Sequence, residues 1–151
     1  MANEEHVALL TSSLFFEEAP EWNAWRQQNP DIRPDLVEAR LGEEDLAHAD
    51  LHQADMRGAV LKAARLSYAD LTSADLRDAS LGDANLGSAT LVDADLSGAD
   101  LSGANLLGAS LRGARLRGAS LGYPTSVART SRGPISLKPI SRLPTPSRPS
   151  L

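Results

Sequence analysis

From Leu36 to Leu121 a large aliphatic side chain returns at every fifth position: seventeen leucines, with Met56 completing a series of eighteen. An alanine stands two residues before nearly every member, at each fifth position from Ala49 to Ala119. Five residues of α-helix advance about 500°, so such a series would wind around a helix rather than share a face. Five residues of strand would send alternate members to opposite sides. The Ala–Leu spacing resolves this, because residues two apart on a short extended segment point the same way and the residue between them points out. The remaining two residues of each quintet must then turn the chain. They are commonly small or polar, as in Gly82-Asp83, Gly87-Ser88, Ser97-Gly98 and Ser102-Gly103, types that suit tight corners. A short strand and a corner, repeated, predict a solenoid whose coils share one apolar interior.

The stretches SGADLSGANL, TSADLRDASL and RGARLRGASL resemble the A(D/N)LXX units of the pentapeptide-repeat family. The resemblance covers residues 34–123. It implies an all-β solenoid, a right-handed quadrilateral β-helix of four quintets per coil and about four and a half coils. Leu61, Leu66, Leu71, Leu76, Leu81, Leu86, Leu91, Leu96, Leu101 and Leu106 are the expected structural core.

Residues 1–33 differ in kind. Val7, Leu10, Leu14 and Phe15 follow helical spacing over 4–18, and a second helix is expected from Pro20, carrying Trp22 and Trp25 and stopping at Asn29-Pro30. The string WNAWRQQNPDIRPDL resembles the leader found before the repeats of many bacterial members of that family. The expected role of 1–33 is an α-helical cap, with Trp22 and Trp25 covering the leucines and strand edges of the first coil. That coil breaks pattern at Pro34 and Glu44. An inward carboxylate is costly unless paired, so Glu44 is expected either to swing out in a distorted corner or to meet Arg26 or the Trp25 indole. Residues 124–151 hold six of the nine prolines and no regular pattern, and read as a disordered basic tail. Tyr123-Pro124 is then the only expected cover for Leu116 and Leu121, which leaves that end open to a homodimer through the C-terminal coil.

Charge is distributed unevenly. Residues 1–30 carry five acids and one base, 31–122 fifteen acids and nine bases, and 123–151 five bases and no acid. An acidic body argues against direct nucleic-acid binding through the solenoid. Cysteine is absent, which fits a reducing compartment, and the N-terminus has neither the basic start of a signal peptide nor a run long enough to span a membrane. A cytoplasmic protein with no membrane association is expected.

No catalytic residue, cofactor-binding residue or metal ligand is expected. His6, His48 and His52 read as exposed, no histidine lies among the serines and aspartates of the regular coils, and the glycines sit singly. A non-enzymatic chain is expected. Positions twenty apart stack on one face, and Asp35, Asp55, Asp75 and Asp95 form such a column, ending in Arg115. Its simplest role is to bond the next corner through each aspartate. Its functional role would be a partner-binding acidic stripe, with Arg57 and Arg77 placed to offset self-repulsion. The expected function is a non-catalytic protein-interaction or structural module for a protein partner with a basic surface. The alternative is a DNA mimic regulating a type II topoisomerase or other DNA-binding protein, as some pentapeptide-repeat proteins conferring quinolone resistance do.

Overall fold

The structure is a computed structural model that describes residues 1–12 and 19–122, together with the backbone of 129–130 and 133–134. Residues 35–120 form a continuous series of parallel single-residue bridges, each joining a position to the one twenty residues on, from Asp35↔Asp55 to Asp100↔Ser120. One coil is therefore four quintets. Each junction repeats the same three bonds. Leu36 N donates to Asp55 O at 2.8 Å, Glu38 N to Arg57 O at 2.8 Å, and Asp55 N returns to Pro34 O at 2.9 Å.

Within a quintet the corner closes by a bond such as Ala39 N to Leu36 O at 3.1 Å. The second corner residue has positive φ, the signature of a type II turn. Glycine, which adopts this conformation freely, fills the position at Gly58 and from Gly98 onward. Eleven other corners place a side chain there, with φ between 56° at Ala63 and 64° at Glu43. That conformation costs an L-residue roughly 1–2 kcal/mol. The turn bond and the cross-coil bond made by the same residue's amide hold it in place.

The leucines and alanines face inward. Every member of the fivefold series from Leu36 to Leu111 is 5% exposed or less. Ala114, Leu116, Ala119 and Leu121, on the last described coil, are only partly buried. Pro34 is buried and offers only its carbonyl to the ladder, so its missing N–H costs nothing there. Glu44 takes the first of its two expected routes. Its side chain is half-buried, its corner lacks the bond back to Leu41 O that the other alanine-position amides make, and it contacts neither Arg26 nor Trp25 among the described hydrogen bonds.

Two helices sit at the N-terminal end, α1 (Glu4–Ser12) and α2 (Pro20–Gln28). Asn3 caps α1 through its side-chain oxygen, which accepts from Glu5 N at 2.9 Å. The expected continuation of this helix through Leu14, Phe15 and on to 18 lies outside the described residues. Helix α2 begins at proline, whose missing N–H is harmless in a first turn. Trp22 is fully buried, and its ring lies 5.2 Å from that of the partly buried Trp25.

The helices meet the first coil as a strand would. Asn3 N donates to Asp35 O, the Trp22 indole to Asp50 O at 2.7 Å, and Arg26 Nη2 to His52 O at 3.1 Å. In return Asp35 N donates to His6 Nδ1 at 3.0 Å and Asp50 N to the Asn23 carbonyl oxygen at 2.8 Å. Three carbonyls and two amides that a preceding coil would occupy are thus satisfied, as buried backbone groups require.

In the stretch expected to be a disordered tail, β1 (Arg129–Thr130) pairs antiparallel with β2 (Gly133–Pro134). The rest of 123–151, including the expected cover by Tyr123-Pro124, lies outside the described residues. Among the described residues no helix is long and apolar enough to cross a membrane.

Candidate functional site

The outward residue of each quintet is fixed by the ladder, so the aspartate column follows directly from the coil length. Asp35, Asp55, Asp75 and Asp95 bridge one to the next, and Asp95 bridges Arg115. The column is heavily paired. Arg57 forks onto Asp55 with bonds of 2.7 and 2.9 Å, and Arg77 onto Asp75 with bonds of 2.8 and 2.7 Å. Arg57 also stands 3.7 Å from Asp75, Arg33 reaches Asp55 at 3.7 Å and Asp75 at 3.8 Å, and Arg115 lies 3.6 Å from Asp95. Bidentate forks of this kind are the stronger class of ion pair.

The pairing moves the titration of these groups. The hydrogen-bonded Arg57 guanidinium holds the Asp55 carboxyl below the usual carboxylate range, against a smaller opposing effect of burial. Arg77 does the same for Asp75. Asp95 and Asp100 are also held low, chiefly by hydrogen bonds from Ser97 and Ser102.

The bonding role of the column is present too. Val37 N donates to Asp35 Oδ1 at 3.2 Å and Ser97 N to Asp95 Oδ1 at 3.0 Å, and Asp70, Asn85 and Asp100 receive the amide two residues on in the same way. Each such bond steadies the corner that follows.

Asp35 heads the column with no cation at ion-pair distance among the described residues, and more such acid lies off the column. Asp70, Asp78, Asp83, Asp93 and Asp100 have no cation at ion-pair distance among the described residues. Asp83 and Asp100 line a depression of about 580 Å³ with Lys62, Ser80, Ser102 and Gly103. Asp78, Asp83 and Asp93 also occupy positive-φ corners, each directly beneath a glycine of the next coil: Gly98, Gly103 and Gly113. The signal was available in the sequence as Asp–Gly pairs twenty residues apart.

Two of the three histidines depart from expectation, and His48 does not. His48 is exposed, with its ring stacked 4.9 Å from Tyr68. His6 is drawn into the cap, where it accepts from Asp35 N and lies 4.9 Å from the Trp25 ring. His52 is partly buried against Arg26, whose Nη2 lies 2.9 Å from Nε2, while Nδ1 lies 2.5 Å from Asp50 Oδ1. Asp50, His52 and Asp70 carry ligand-type atoms within 4.8 Å of one another. The buried Arg26 guanidinium already supplies positive charge at that place, so these residues serve the joint between cap and first coil rather than a cation site.

Residues 35–78 and 79–118 match the family model described as pentapeptide repeats, and the chain belongs to that family. Two solved structures are similar to it. A pentapeptide repeat protein from the Arabidopsis thaliana thylakoid lumen is 31% identical, over 58% of this chain and 61% of that one, with a TM-score of 0.57. The pentapeptide repeat protein Rfr23 from the cyanobacterium Cyanothece 51142 is 37% identical, over 61% of this chain and 60% of that one, with a TM-score of 0.55. The matched region thus spans less than two thirds of the length of either relative. No curated protein is significantly similar to the chain.

Proposed function

We propose that this chain is a non-catalytic protein-interaction module of the cytoplasm, built on a right-handed quadrilateral β-helix of about four and a half coils with a helical cap at residues 1–33. Its acidic surface takes a protein partner that presents basic residues. The observation that carries this reading is the split between paired and unpaired acid. Asp55, Asp75 and Asp95 of the column are paired with arginines, whereas Asp78, Asp83 and Asp100 have no cation at ion-pair distance among the described residues and stand on and beside an adjacent face. Carboxylates fixed to a rigid ladder lose little freedom on binding, which favours recognition.

A partner held this way should be captured at about 50 mM salt and released at about 0.5 M, where screening shortens to a few ångströms. Capture should also fall with the triple substitution Asp78→Asn, Asp83→Asn and Asp100→Asn. Partners that survive both treatments would contradict the reading.

The DNA-mimic alternative finds less support in the geometry. A mimic needs evenly spaced free carboxylates, and on the one long column Arg57 and Arg77 fill the gaps. We assign to the C-terminal coil, whose aliphatic residues are only partly buried, the contact with a second copy of the chain.

A further inference from the structure

Successive coils are joined with a fixed polarity. For each quintet a coil sends two amides toward the C-terminal end, as Leu96 N to Arg115 O at 2.8 Å and Gly98 N to Arg117 O at 2.9 Å. It receives one in return, as Arg115 N on Ala94 O at 2.9 Å. The C-terminal end of the stack therefore presents two donors for each acceptor, and the N-terminal end presents the reverse. The cap answers the N-terminal imbalance with the Trp22 indole and the Arg26 guanidinium, both donors.

Charge runs along the same axis. Among the described residues, 1–54 carry ten acids and three bases, a formal −7, while 112–122 carry three bases and no acid, a formal +3. Arg112 and Arg117 on the last coil are exposed and have no ion pair among the described residues. Glu4, Glu5, Glu21 and Asp31 are exposed on the cap.

We propose that copies of this chain associate head to tail, the C-terminal coil of one receiving the acidic cap of the next. This deepens the reading of the C-terminal coil as a self-association surface and rests on it. Two C-terminal coils placed face to face would set donors against donors and Arg112 and Arg117 against their counterparts. Cap carboxylates fit both features, since they accept from amides and pair with guanidinium groups. The two surfaces are different, so the contact is heterologous and does not close at two copies.

Sedimentation velocity on the full chain tests this. At about 20 mM salt the mass should grow with concentration past twice the 16.0 kDa of one chain, and at about 0.5 M it should return to the monomer. Arg112→Glu with Arg117→Glu should weaken association about tenfold, as should Glu4→Arg with Glu5→Arg. Mixing the two variants should restore it, because each then meets an end of opposite charge. A chain monomeric under every condition overturns both the self-association reading and this inference. A dimer that stops at two and ignores the reversals overturns the head-to-tail contact alone.

Discussion

The Trp22 indole donates to the carbonyl oxygen of Asp50 at 2.7 Å, where the amide of a preceding coil would otherwise bond. The cap is thus a chemical substitute for a strand as well as an apolar cover. Trp22→Phe keeps most of the ring and removes the donor, leaving the Asp50 carbonyl without it. The expected loss is about 1–3 kcal/mol in chemical denaturation. Trp25→Ala should also lower the melting temperature, through packing alone. A Trp22→Phe protein as stable as the parent would mean that this bond contributes nothing.

Gly98 and Gly118 occupy the same corner one coil apart, with φ of 74° and 72°. A side-chain carbon on Gly98 would collide with Asp78 Oδ1, whereas one on Gly118 meets nothing within 4 Å. Both alanine variants share the cost of a left-handed residue, roughly 1 kcal/mol. Gly98→Ala should therefore be the more destabilising, and adding Asp78→Ala should recover the difference. Equal losses in urea titrations would show that room, unlike φ, plays no part in this corner.

Asp55 and Asp75 are held low by Arg57 and Arg77. For a carboxyl with a depressed folded pKa, the contribution to stability is present above the unfolded value near 4 and is lost as pH falls through the folded value. Melting temperature should therefore decline as pH drops below about 4. Arg57→Met with Arg77→Met should flatten that decline while leaving the shape of the curve above neutrality unchanged. A decline of the same steepness in the variant would place the acid sensitivity elsewhere.

Much of this architecture is legible in the chain because period five is incompatible with any single regular element. The inward leucines and the start of α2 at Pro20 follow from local rules, and the twenty-residue coil from the resemblance to pentapeptide repeats. His6 carries no such signal, since its bond to Asp35 N spans twenty-nine residues. Arg26 and His52 are equally silent until the cap folds onto the first coil. The aspartate column could be read by counting in twenties, and so could the arginines two residues after Asp55 and Asp75. The unpaired acids at the corners could have been found the same way, by pairing Asp78 with Gly98 and Asp93 with Gly113.

The most direct test of inward and outward positions lies in two adjacent leucines. Leu106 is 5% exposed and Leu107 is 62% exposed. The same substitution at both sites isolates position in the quintet from chemistry. Leu106→Ala should cost about 2–5 kcal/mol in chemical denaturation, and Leu107→Ala less than about 0.5 kcal/mol. Losses of equal size, or a larger loss at Leu107, would contradict the fivefold coil.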